Sequence, residues 1–222
     1  MITIETTGIV MWQKILLTSL LLLVTACQSA DVTPTPIALP TATATAIVSQ
    51  SAAITVQSNA VIAPEAAGVP VRLNAPALNF AVPVESMSWQ VTEVEGTRQA
   101  VWTVPETSAG WHINSARPGT AGNMVISGHH LIGAAVFAPL ARGEVTVGTQ
   151  LLVSDDQGRT FLYEVSEVAP PIPVNGSAAE QQQATVYLGP TEQPMLTLMT
   201  GWPDFSDTHY LFVRAVFVGS AP

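Results

Sequence analysis

The stretch Met195-Leu-Thr-Leu-Met-Thr-Gly-Trp-Pro203, followed across Asp204-Phe-Ser-Asp207 by Thr208-His-Tyr-Leu-Phe-Val213, carries the most information in this chain. Both halves are rich in Thr, aromatic and aliphatic residues, which suit a pleated and half-buried backbone. Pro203 and the Asp and Ser residues between them are turn formers. The pattern predicts two strands, 195–200 and 210–218, lying side by side. Residues of the first strand then alternate between faces, so Met199 and Gly201 share one face and Thr200 takes the other.

The same kind of pattern recurs outward from this pair. Strands are predicted at 69–75, 77–84, 99–104, 123–127, 149–154, 160–168 and 185–188. Helical periodicity is scarce, with one short turn predicted at 136–140. Many short strands separated by turn residues read as an all-β barrel or sandwich. The chain has 222 residues and a net charge of −9, with 48% hydrophobic and 10% charged residues. That acidic balance gives no electrostatic footprint for nucleic acid and no basic grip on anionic lipid. Cys27 is the only cysteine, so no intrachain disulfide forms.

Several collinear segments resemble the sortase family, bacterial cysteine transpeptidases, and among them the class E/F type. The opening strand Val71-Arg-Leu-Asn-Ala-Pro-Ala-Leu-Asn-Phe80 comes first. Trp111-His-Ile-Asn-Ser-Ala-Arg-Pro-Gly119 and Gly122-Asn-Met-Val-Ile-Ser-Gly-His129 follow, then Gly148-Thr-Gln-Leu-Leu-Val153 and Phe161-Leu-Tyr-Glu-Val165. The segment that opened this reading is similar to the family's Thr-Leu-x-Thr-Cys-x-Pro strand, and Thr208-His-Tyr-Leu-Phe-Val213 to its Thr-His-Arg-Leu-x-Val strand. The resemblance implies a closed, mixed β-barrel with short helical turns. It also implies a site made of a nucleophilic Cys, a His that shuttles protons and an Arg that stabilises charge.

Here the resemblance places Gly201 at the Cys position and Tyr210 at the Arg position, while His129 keeps the His position. Glycine offers no nucleophile, and a tyrosine phenol, with a reference pKa of about 10, brings no positive charge at neutral pH. Ser206, in the loop, has no visible relay partner. Arg214 falls about 13 Å along its strand from Tyr210. Trp202, His130 and Thr200 are candidates for lining a binding groove. The four histidines, His112, His129, His130 and His209, show no ligand spacing, so no metal and no other cofactor is expected.

The amino-terminal part reads differently. Met11-Trp-Gln-Lys14 and the apolar run 15–24 have the layout of a secretory signal peptide, too short to span a bilayer. Val24-Thr-Ala-Cys27 resembles the lipobox of bacterial lipoproteins, which implies a lipidated Cys27 and attachment to the outer face of the cell membrane. Residues 28–68 are rich in Thr, Pro and Ala and nearly free of charge and aromatics, the composition of an extended, disordered stalk. At about 3.1 Å per residue such a stalk reaches on the order of 100 Å.

The expected organisation is a signal peptide at 1–27, a linker at 28–68 and a sortase-like barrel at 69–222. The expected function is a catalytically inactive surface lipoprotein whose partner is an extended peptide or a cell-wall component. The competing expectation is a sortase-type peptidase with residual or altered hydrolase activity through His129.

Overall fold

The computed structural model describes residues 54–63, 66–94 and 97–221. The signal-peptide range, Cys27 and most of the linker lie outside the described residues. The elements, in chain order, begin with β1 (Pro70–Ala75), a 3-10 turn (Pro76–Leu78), β2 (Phe80–Met87), β3 (Trp89–Val94), β4 (Thr97–Trp102), β5 (Ala109–His112) and β6 (Asn123–Ser127). Then come α1 (Ala138–Ala141), β7 (Gln150–Asp155), β8 (Thr160–Val168), β9 (Ile172–Pro173), α2 (Ala178–Leu188), β10 (Met195–Trp202) and β11 (His209–Ala221).

Eight strands close a ring in the order β10-β6-β5-β2-β1-β7-β8-β11, and β11 pairs back onto β10. β10 with β6 and β2 with β5 are parallel, and the other neighbours in the ring are antiparallel. The barrel is therefore closed and mixed. The ring leaves no free edge among its strands, which removes the hazard of edge-to-edge pairing. β3 and β4 form a separate hairpin that joins no barrel strand.

Strand alternation sorts the side chains. Leu196, Leu198, Ile126, Leu211 and Val213 point inward and are almost fully buried. Each buried Leu of this kind contributes roughly 1.5–3 kcal/mol from transfer out of water. On the outer face of the same strands, Met199 and Tyr210 join Phe212 in a second cluster with Tyr187 and Ala184 of α2.

The strand predicted at 185–188 is instead the last turn of α2. Ser177 caps the helix, its hydroxyl accepting from the Glu180 amide while the Glu180 carboxylate accepts from the Ser177 amide. That reciprocal cap nucleates a helix through residues whose short apolar run also suits a strand. β3, β5 and β9 were not among the predicted strands. Residues 54–63, counted within the linker by composition, run against the barrel. The Gln57 amide donates to Ser220 O (2.8 Å), the Ser220 amide donates to Ser58 O, and the Ile62 amide donates to Gly119 O (2.8 Å).

Candidate functional site

β10 and β11 are paired in register through Thr200↔Leu211, Gly201↔Tyr210 and Trp202↔His209. Gly201 and Tyr210 are thus direct cross-strand neighbours on the outer face of the barrel. β6 lies on the other side of β10, with Ser127 opposite Met199. The chain leaves β6 at Ser127, and Gly128, His129 and His130 follow in the loop. That loop can tuck in because Gly128 has no side chain: a Cβ there would sit 2.6–2.9 Å from the Phe137 ring. The same turn is tied by the Gly128 amide to Met199 O (3.1 Å) and by the Phe137 amide to His129 O (2.8 Å).

His129, Gly201 and Tyr210 line one cleft of about 460 Å³, together with His130, Thr200 and Asp207. Its roof includes Trp102 from the β3–β4 hairpin and Leu188 from the end of α2. A neighbouring cavity of about 630 Å³ runs along the outer face of β6 and shares Trp102, His112 and Leu188 with the first. The two form a groove divided where the Trp102 and His112 rings pack, 4.3 Å between centroids.

Both loop histidines use Nε2 toward carbonyl oxygens, so Nε2 carries the proton in each neutral ring. His129 donates to Val104 O (3.2 Å). His130 donates to Pro203 O (3.0 Å) and Ser206 O (2.9 Å), which fastens the β10–β11 loop to the β6 side of the cleft. Successive residues point to opposite faces only inside a strand. Beyond the end of β6 that rule lapses, and His129 and His130 both reach the cleft.

The space at Gly201 is already taken. A Cβ built there would fall within contact distance of Asp207 Oδ1 and His130 Cε1, and 3.0 Å from His130 Nδ1. Gly201 does not have a positive φ. Space, not backbone conformation, is what requires glycine.

The sortase domain profile matches residues 73–218. This chain belongs to the sortase family. Its fold is similar to that of a lid mutant of sortase A from Corynebacterium diphtheriae, at 25% identity and a TM-score of 0.50 over 70% of this chain and 74% of that one. A sortase D5 transpeptidase from Clostridium perfringens shares 18% identity with a TM-score of 0.48, over 68% of this chain and 79% of that chain. Sortase E1 from Streptomyces coelicolor, solved with a tripeptide in its active site, shares 18% with a TM-score of 0.46, over 70% and 91%. A search of curated proteins gives no match.

Against this sortase frame the groove candidates separate. His130 lines the cleft and is 7% exposed. Thr200 also borders it, but its side chain goes to the inner face and its hydroxyl donates to Gly128 O (2.8 Å). Trp202 is a correction: it packs against the main core and sets its edge to His209, outside the cleft lining. Strand alternation explains this, because Trp202 lies one residue beyond Gly201 and takes the opposite face. Phe205 is 80% exposed and does not close the groove. Arg214 cannot stand in for a site arginine, because its guanidinium lies 4.7 Å from the Tyr187 ring centroid and donates to Val186 O (2.9 Å). Ser206 contributes its backbone carbonyl to His130.

Two features escaped the sequence reading. The Asn123 side chain donates to Tyr187 O (2.9 Å) and Gly189 O (3.0 Å) and accepts from the Thr197 hydroxyl (2.7 Å), which pins the end of α2 over the groove. His112 Nε2 lies 2.8 Å from Ser127 Oγ in the floor of the cleft. A Ser–His hydrogen bond is the geometry of an activated nucleophile. Here burial pushes the His112 imidazole down to about 4, which makes it a feeble base at neutral pH. Ser127 is 5% exposed, so its hydroxyl is turned to His112 rather than to a ligand. The pair acts as a polar strut between β5 and β6. Among the described residues no group of three or more His, Cys, Asp or Glu side chains converges on a metal position, and no helix is long and apolar enough to cross a membrane.

Proposed function

We propose that this chain is a pseudo-sortase: a sortase-fold surface protein, held to the bacterial membrane through a lipidated Cys27, that binds an extended peptide or cell-wall component without cleaving it. The observation that carries the reading is the occupancy at Gly201. A sortase site needs a thiolate at the end of this strand. Here the position has no side chain, and Asp207 and His130 fill the volume that a cysteine side chain would need. The charge-stabilising position across the ladder is a neutral phenol, Tyr210. His129 remains in the cleft with Nδ1 free of hydrogen bonds to the described residues, but a proton shuttle without a nucleophile splits no amide at an appreciable rate. The groove itself persists, open, and the cleft at His129 is mostly apolar, which suits a binding function.

The test is to incubate the protein with extended peptides carrying sorting-type sequences and to follow binding by calorimetry and cleavage by mass spectrometry. Binding without cleavage is expected, and His129→Ala should leave the peptide just as intact. Cleavage by the native protein that disappears in His129→Ala would overturn the reading.

A further inference from the structure

The charge inventory of the cleft points to the chemistry of its ligand. Among the described residues, Asp207 is the only carboxylate that lines the cleft, and no arginine or lysine lines it. Among the described residues Asp207 has no ion-pair partner. Its Oδ1 lies directly over Gly201, beside the imidazole of His130, at the place where the family resemblance expects a thiol. Opposite, where that resemblance expects a guanidinium, the phenol of Tyr210 offers only a hydroxyl. Compared with the site the family implies, the centre of the groove has lost a cation and gained an anion.

The surroundings reinforce this polarity. The protein as a whole carries −9. An anionic group entering the cleft meets an uncompensated carboxylate and no fixed cation, and pays for both. A cationic group meets a counter-ion. Flanking Asp207, the cleft is lined by Val101, Val104, Leu131, Ile132, Leu188 and Met199, which suit aliphatic chain.

We infer that the cleft binds an extended, largely apolar chain bearing a primary ammonium group, with Asp207 as its counter-ion and the Tyr210 hydroxyl as a neighbouring acceptor. This rests on the binding function proposed above and adds the ligand's charge. An ammonium fits better than a guanidinium. It is a compact point charge on a flexible stem, whereas the planar fork of a guanidinium needs a second acceptor in its plane. Asp207 is exposed on its solvent side, so the ion pair is worth about 1 kcal/mol, a preference of about fivefold.

The experiment uses the full chain and three blocked heptapeptides of Ala and Leu that differ only at the central residue: lysine, norleucine or glutamate. Calorimetry should give the tightest binding for the lysine peptide, about fivefold weaker binding for norleucine, and the weakest for glutamate. Asp207→Asn should bring the lysine peptide to the norleucine level. Asp204→Asn, an exposed carboxylate of the same loop outside the cleft lining, should leave the preference intact. In the native protein, raising salt from 50 to 500 mM should erode the lysine preference and spare norleucine binding. That measurement needs no variant, so it stands even if Asp207→Asn folds poorly. If norleucine and lysine peptides bind equally, or Asp207→Asn keeps the preference, the ammonium inference fails and the binding reading stands. If none of the three peptides binds, both fail.

Discussion

Adding one methyl group at residue 201 is the sharpest probe of this site. In Gly201→Ala the new Cβ meets Asp207 Oδ1 and His130 Cε1. The carboxylate is the end of a flexible side chain on an exposed residue and can swing away at little cost. The imidazole cannot, because it is buried and its Nε2 proton is shared between Pro203 O and Ser206 O. Forcing the ring aside costs about 1–3 kcal/mol as overpacking and about 1 kcal/mol for the weakened hydrogen bond. Restricting the unfolded chain returns about 0.4–1 kcal/mol. The net loss is about 2 kcal/mol, which for a domain of this size lowers Tm by about 4–8 °C. Thermal and denaturant unfolding would be measured for Gly201→Ala, His130→Ala and the double variant. His130→Ala removes the ring, so adding Gly201→Ala to it should cost much less, a coupling of about 1–2 kcal/mol. Equal cost of Gly201→Ala in the two backgrounds would refute the argument that this volume is occupied by His130.

Three further outcomes are expected. Restoring chemistry with Gly201→Cys and Tyr210→Arg should fail while the buried His130 ring fills the volume the new side chain needs, and adding His130→Ala should allow slow thiol-dependent cleavage of a sorting peptide; equal activity of the double and triple variants would contradict this. Burial lowers the His112 imidazole to about 4 from an unfolded value of 6.5, so the unfolded chain takes up a proton first as pH falls, and stability present above pH 6.5 drains away toward pH 4. The slope reaches at most about 1.4 kcal/mol per pH unit, and His112→Asn should flatten that part of the Tm-against-pH curve. Asn123→Ala leaves the buried Thr197 hydroxyl and the carbonyls of Tyr187 and Gly189 without partners, a loss of about 2–4 kcal/mol read as faster amide exchange across α2.

At the amino terminus, expression with a labelled fatty acid should mark the native chain and not Cys27→Ala. Equal labelling of the two would remove the anchor from the proposal.

How much was legible in the residues alone depends on how local each feature is. Strand alternation in 195–200 and 210–218 reports burial of one face, a period written into the chain, and the pair appears as β10 and β11, lying side by side. The same periodicity fails at 185–188, where four residues fit either backbone, and the deciding signal, Ser177 with Glu180 three residues later, lay upstream in plain view. Trp202, named among the groove candidates, follows Gly201 by one residue, and the period of two sends it to the core. His112, Ser127 and Asn123 could not be read as partners, since each bond joins residues on different strands or on α2.

The sequence by itself pointed to the family and, through that resemblance, to an all-β barrel, and it places a glycine at residue 201, because these depend on residue identity and on patterns a few residues long. The tertiary structure alone decided what fills the gap. Asp207 comes from the β10–β11 loop and His130 from the loop after β6, and they meet at Gly201 only because β6 and β10 lie side by side in a parallel pair. Contacts of that kind depend on strand order and loop closure in three dimensions, and no spacing along the chain encodes them.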